Sequence, residues 1–294
     1  AASAKRRLRF LWQSALQNGA KGILLVGQPL SNLPARWPTK DGFYVAKVTD
    51  KAAKELLTKK QMEANVAIDL STEHTFNVVA KIEAPKANNP EGDVLILGAH
   101  YDHMGIEEYE GEPAIFHGAD DNASGVSAVL QIAHAFILSG QKPLRNVIFA
   151  FWDGEEKGLL GSKYFVQHCP FLKQVKSYLN FDMIGRNNKP ERPQHVVYFY
   201  TAAHPAFGDW LKQDIARYNL QLQPDYRSWD NPVSGSDNAS FALSGIPIIW
   251  YHTDGHPDYH QPSDHAASLN WEKIVEITKA SFLNAWNLAN ESNY

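Results

Sequence analysis

The chain has 294 residues, 44% hydrophobic and 20% charged, enough apolar material for a sizeable core and a composition that argues against wholesale disorder. Its formal net charge of −4 gives no reason to expect a nucleic acid partner, and no apolar run approaches the roughly 18 residues of a membrane span. Cys169 is the single cysteine, so no internal disulfide can form, and a lone cysteine reads as a small buried hydrophobe.

The basic start, AASAKRRLRFLW, lacks the apolar stretch of a signal peptide, and an export signal would precede it. Leu8, Leu11, Trp12 and Leu16 fall at helical spacing and predict an amphipathic helix over 5–18. Gly19 and Gly22 bracket a turn into the strand Gly22–Val26, and Pro29, Pro34 and Pro38 mark 28–42 as loop. Strands are predicted at 43–49 and 65–70, with a helix over 51–60 capped by Asp50. The character changes after about residue 72: a strand at 76–84 and a turn-rich connector precede VLILGAH at 94–100, a continuous apolar run as expected for a central strand covered on both faces. A helix opens near Asn122 and runs to Ser139, its buried stripe read as Val126, Val129, Leu130, Ala133, Phe136 and Ile137. The buried strand 145–152 leads to a helix over 158–168. Strands follow at 177–184, 195–200, 220–226 and 246–251, interleaved with helices at 205–218, 237–244 and 271–288. This alternation predicts an α/β fold, a mixed, mostly parallel central sheet sandwiched between helices, over residues 73–294, with a small N-terminal α/β segment over 1–72.

Five short motifs carry the chemistry: GAHYDH, GADDNASG, DGEEKGLLGS, NFDMIGR and DYHQPSD. His100, Asp121, Glu155, Glu156, Asp182 and His260 together supply two imidazoles and four carboxylates, the inventory that a pair of zinc ions and one catalytic base requires. His100 sits at a strand end, where α/β folds place ligand crevices. Asp102, two residues on, shares its face and is placed to accept the imidazole's far N–H behind the metal; His103 reads as a neighbour and not a ligand. In GADDNASG one polar residue serves as a helix cap, and Asp121 is the better ligand candidate, with Asp120 its main competitor. Adjacent carboxylates on extended chain cannot point the same way, which suits Glu156 as ligand and Glu155 as general base. Asp182 is a strand-end aspartate in NFDMIGR, a residue that taken alone commonly satisfies a turn. His260 stands among four histidines, His252, His256, His260 and His265, so a looser metal-binding tract is the rival explanation there. Tyr259 is placed either to donate to an oxyanion or to satisfy a backbone carbonyl.

Taken together, the five motifs resemble the dizinc aminopeptidase family, which includes secreted bacterial leucyl-type aminopeptidases and relatives of glutamate carboxypeptidase II. The likeness spans residues 74–290 with all five motifs in the family's order. It implies an extracytoplasmic enzyme acting on peptide substrates with two Zn²⁺ ions. His100 and Asp182 would complete one ion's shell and Glu156 and His260 the other's. Asp121 would bridge them, Glu155 would be the base, and Tyr259 would bind the carbonyl oxygen. It also implies a cis peptide after the bridging aspartate. Where the family often has histidine, this chain has Asn238, in SDNASF, and Asp237 is given no catalytic role. Residues 19–70 resemble part of a protease-associated domain. The alternatives on this scaffold are a carboxypeptidase or aminoacylase, which would need Arg186, Arg192 or Arg227 to receive a carboxylate, a single-zinc glutaminyl cyclase, and a receptor-like binding domain without catalysis.

Overall fold

The computed structural model describes residues 11–26, 43–59, 74–229 and 234–291, and the chain divides into two compact units, Ala1–Thr72 and Glu73–Tyr294. In the first unit residues 11–17 are helical, and strands β1 (Gly22–Val26) and β2 (Tyr44–Val48) pair in parallel. Helix α1 (Asp50–Lys59) follows. It starts one residue before the predicted bound because the capping side chain is that of Thr49, not Asp50: its hydroxyl accepts the amide of Ala52 at 3.2 Å. The start of the predicted first helix, the loop over 28–42 and the predicted strand at 65–70 lie outside the described residues.

The second unit is built on a seven-stranded sheet in the order β10-β9-β11-β8-β4-β7-β3. Its strands are β3 (Val78–Ile82), β4 (Val94–His100), β7 (Asn146–Trp152), β8 (Val175–Phe181), β9 (His195–Thr201), β10 (Gln223–Trp229) and β11 (Ile248–His252). β4 runs parallel to both β7 and β8, and β8 parallel to β11. The parallel pair β9–β10 joins β11 antiparallel, and β3 closes the opposite edge antiparallel to β7.

Every residue of β4 is buried because the sheet is packed on both faces. Leu95, Leu97 and Ala99 join Val129 and Phe136 of helix α2 (Gly125–Leu138) and Ile277 and Leu288 of the long C-terminal helix α6 (Trp271–Asn290) in one apolar cluster. Val94 and Ile96 point the other way, into a second cluster. There they meet Phe165 of helix α3 (Leu160–His168) and Phe241, which lies on α5 (Asn238–Ala242) after α4 (Ala206–Tyr218). That alternation is the strand period acting on a sheet with helices on both sides.

One strand position tolerates no side chain. A Cβ on Gly98 would lie 2.6 Å from both the Trp152 Nε1 and the Tyr178 hydroxyl, two fully buried groups hydrogen-bonded to each other at 2.9 Å. Gly98→Ala is expected to destabilise the fold by about 1–3 kcal/mol, as overpacking of a filled core does, read as a lower midpoint in urea at unchanged m-value.

The predicted face of α2 is rotated in the structure. Leu130 and Ile137 are 53% and 67% exposed, while Ala128 and Ile132, outside the predicted stripe, are buried. Runs of consecutive apolar residues leave the helical period ambiguous, and only the partner surface decides it. Sequence reading also missed a hairpin, β5 (Gly105–Tyr109) and β6 (Glu112–Phe116). Its strands are glutamate-rich and mostly exposed, so they carry no apolar alternation. The signal present is the turn: Glu110 and Gly111 both have positive φ, 54° and 90°, as a tight two-residue hairpin loop requires.

Candidate metal centre

Three adjacent parallel strands end at the same edge of the sheet, and each delivers part of the site. β4 ends on His100, β7 on Trp152 with Asp153–Glu156 just beyond, and β8 on Phe181 with Asp182 next. Between β6 and α2 the chain makes an irregular turn, Ala119–Ser124, that contains a cis peptide between Asp121 and Asn122, where the family resemblance implied one. His260, at φ 54°, comes from the loop after β11.

Two groups of donor atoms form there, and they share one residue: His100, Asp121 and Asp182 make the first, and His103, Asp121, Glu156 and His260 the second. Asp121 faces them with different oxygens. Its Oδ1 lies 3.2 Å from His100 Nε2, and its Oδ2 lies 3.1 Å from His260 Nε2. His100 Nε2 is 3.7 Å from Asp182 Oδ1, and His260 Nε2 is 3.1 Å from Glu156 Oε2. Ligand atoms about 2.0–2.1 Å from a tetrahedral zinc are separated by about 3.3 Å, so both groups have the spacing of a zinc shell. His260 Nε2 is buried between two carboxylate oxygens, each 3.1 Å away, the setting of a nitrogen that shares a cation with them. Imidazole with carboxylate is zinc's donor chemistry.

The electrostatics ask for positive charge. Burial disfavours charge on His100, yet Asp182, Asp102 and Asp121 outweigh it and hold the imidazole well above its ordinary pKa. Burial likewise opposes charge on His260, but Asp121 and Glu156 push it up to about 10. The same contacts act in reverse on the acids: burial raises Asp121, and the adjacent imidazoles more than reverse this. Burial raises Glu156 too, while His103 and His260 hold it below the usual carboxylate range.

Glu155 belongs to neither donor group. Burial, with the charges of Asp182, Asp237 and Glu156, raises its carboxyl to about 9. Tyr259 stacks on His260 with ring centroids 3.9 Å apart. Burial and the nearby carboxylates of Asp121, Glu156, Asp182 and Glu155 raise its hydroxyl, so it stays a proton-bearing donor beside the site.

Asp102 has a second task beyond the expected one beside His100. His100 Nδ1 lies 3.0 Å from the backbone carbonyl of Asp102 and 3.6 Å from its carboxylate. The carboxylate is engaged elsewhere, accepting the amides of Glu155 at 3.0 Å and Glu156 at 3.2 Å, and so fixes the turn that presents both glutamates. Asp120, the competitor of Asp121, turns away: its carboxylate accepts the amide of Gly185 and faces His256 Nε2 at 3.2 Å. Of the four histidines in the 252–265 tract, only His260 enters a donor group. His252 bonds the carbonyl of Asp182 at 2.7 Å, and His265 lies against His117.

Sequence reasoning read His103 as a neighbour and gave Asp237 no catalytic role, and it gave Asn122 and Asp264 no part in the site; the structure brings all four to it. His103 stands 2.9 Å from Glu156. Asp237 is wholly buried, and burial, partly opposed by His100, raises it to about 7. Asn122 ties two ligand loops together, donating to Phe181 O at 2.8 Å and accepting from Met183 N at 3.3 Å. Asp264, also fully buried, accepts the amides of Asp120 at 2.9 Å and Asp121 at 3.1 Å. The only sequence signal for Asp264 was its place in the His260 motif. Asp264→Asn keeps one accepting oxygen for these amides but removes the charge and turns an N–H toward Asp120 N, 3.2 Å from the present Oδ1; a loss of about 1.5–3 kcal/mol, the scale of hydrogen bonds to a charged acceptor, is expected in chemical denaturation.

Comparison with known proteins identifies the family. A model described as peptidase family M28 matches residues 77–284. Leupeptin-inactivating enzyme 1 of Streptomyces exfoliatus is 34% identical over 167 residues, 55% of this chain and 34% of that enzyme. The probable leucine aminopeptidase 2 of Aspergillus oryzae is 28% identical over 270 residues, 80% of this chain and 50% of that protein. The chain thus spans half or less of the length of these curated relatives. Among solved structures, LapA aminopeptidase of Legionella pneumophila superposes with a TM-score of 0.57 at 27% identity, over 73% of this chain and 55% of that one. BSAP, a zinc aminopeptidase from Bacillus subtilis, gives a TM-score of 0.66 over 96% of this chain and 67% of that one; at 20% identity this is a likeness of fold. The motifs, the sheet and the family match agree: the chain belongs to peptidase family M28.

Proposed function

We propose that the chain is a dizinc metallo-exopeptidase, an aminopeptidase that removes N-terminal residues from peptides. The observation that carries this reading is the division of Asp121 between two donor groups, one oxygen to each. His100 and Asp182 would hold one ion, Glu156 and His260 the other, and Asp121 both. Zinc, when bound, lowers the pKa of water toward neutrality and polarises a scissile carbonyl. Glu155 lies outside the donor groups and accepts the proton of the attacking water, then returns it to the leaving amine. The Tyr259 hydroxyl donates to the oxyanion that develops on the carbonyl. A site this rich in carboxylates favours a free α-ammonium group, which supports cleavage at the amino end; the relative described as a probable leucine aminopeptidase points the same way.

The carboxypeptidase and aminoacylase readings are weaker because two of the three candidate arginines are engaged. Arg186 pairs with Asp258 at 2.5 Å, and Arg227 with Asp225 at 2.6 Å. Two donor groups also speak against a single-zinc cyclase and against a receptor that has lost its ligands. A chromogenic aminoacyl-anilide is expected to be cleaved, its N-acetylated counterpart to be spared, and a chelator to stop the reaction. Equal cleavage of free and blocked substrates would refute amino-end specificity.

A further inference from the structure

His103 stands in the second donor group, yet its contacts separate it from the other members. Its Nδ1 lies 2.9 Å from Glu156 Oε1, a hydrogen-bond distance, and 3.8 Å from Asp121 Oδ2. Glu156 turns its other oxygen, Oε2, toward His260 at 3.1 Å. The two carboxylate oxygens are therefore divided: Oε2 faces the space enclosed with Asp121 and His260, and Oε1 faces His103.

The ring also has a built seat. It packs against Gly118, where a Cβ would fall 2.6 Å from His103 Cγ and 2.8 Å from Cδ2, and edge-on to His260 with centroids 5.6 Å apart. Side-chain packing from two sides and one directed polar contact leave the imidazole little freedom. The motif HYDH thus reaches both donor groups, His100 the first and His103 the second.

We propose that His103 is a positioning residue for the second metal: its Nδ1–H donates to Glu156 Oε1 and holds Glu156 to single-oxygen ligation through Oε2. The consequence is chemical as well as geometric. A carboxylate free to turn can offer both oxygens to one ion and fill the place that a catalytic zinc keeps open. A fixed Oε1 removes that option, and hydrogen bonding behind a ligand strengthens metal binding, typically by 10–100-fold. The proposal rests on the dizinc reading above.

The test is zinc binding, measured by elemental analysis of protein equilibrated against a series of buffered free-zinc concentrations. It needs the wild-type chain, His103→Ala and His103→Gln. The wild type should bind two ions. His103→Ala should still reach two ions at saturation, with one binding step weakened roughly 10–100-fold and the other unchanged. His103→Gln, whose amide can donate to Oε1, should recover part of the loss.

Saturation of His103→Ala at one ion would make His103 a ligand and overturn the positioning role. Two unchanged steps, or equal weakening of both, would overturn it as well. Glutamine failing to recover any affinity in a folded variant would remove the hydrogen bond as the cause. A wild type that saturates at a single ion would instead refute the dizinc reading, a result obtained before any variant is compared.

Discussion

Replacing Glu155 by glutamine is expected to lower kcat by about 10²–10⁴-fold, the usual contribution of a positioned general base, with two zinc ions still bound. The substitution keeps the shape of the side chain and removes only its ability to take a proton. The expected split between turnover and metal content follows from where the residue sits. Glu155 is excluded from both donor groups while its sequence neighbour Glu156 is included. The turn that separates them is held by Asp102 through their amides. Burial and surrounding carboxylates raise Glu155 to about 9; dications close by favour its charged form and bring it back toward the working range of a base. Elemental analysis alongside aminoacyl-anilide turnover decides the matter. Loss of zinc in the variant would make Glu155 a ligand, and near-normal turnover would end its role as base.

Stripping metal from the protein should abolish turnover and lower the melting temperature. A ligand present at about 1,000 times its Kd stabilises the folded chain by about 4 kcal/mol, and about 2–4 °C per kcal/mol is usual at this size. Each ion is thus expected to contribute about 8–16 °C. Without the ions, His260 supplies charge between Asp121 and Glu156, and its folded pKa of about 10 lies above its ordinary value. A group raised in this way stabilises fully below its unfolded pKa and ceases to do so as pH rises through the folded one. The chelated protein should therefore lose stability from about pH 6.5 to about pH 10, a slope that zinc removes. Zinc should restore turnover and magnesium should not, since imidazole donors suit the former. Chelated protein with an unchanged melting curve and full activity would refute the metal-dependent reading.

Sequence alone made the centre of the fold legible because β4 is apolar up to His100 and β7 is apolar after Asn146, and their ends are marked by His100 and by Glu155 and Glu156. Asp182 was legible through its motif NFDMIGR and not through polarity: the strand was expected to run over 177–184, whereas it stops at Phe181 and already carries Lys176, Ser177 and Asn180. What escaped has a common cause. His103, Asn122 and Asp264 act through contacts with residues 53, 59 and 143 positions distant in the chain, and no local period encodes such pairings. Asp102 stands beside His100, its carboxylate 3.6 Å from Nδ1, and what escaped is its second task, accepting the amides of Glu155 and Glu156 from 53 and 54 positions away. The face of α2 failed for a different reason. Val126, Val129, Leu130, Ala133, Phe136 and Ile137 fit a helical stripe as well as the true one does.

The order in which the donors occur along the polypeptide has a consequence for a chain emerging from the ribosome. His100, Asp121, Glu156 and Asp182 belong to the first 182 residues, whereas His260 and the supporting Asp264 arrive only with the loop after β11. A nascent chain can thus complete its central strands and its first donor group while the second is still one ligand short. The last donor therefore joins only after β11, and α6, whose Ile277 and Leu288 pack with Leu95 and Leu97 of β4, still follows it before the core is closed.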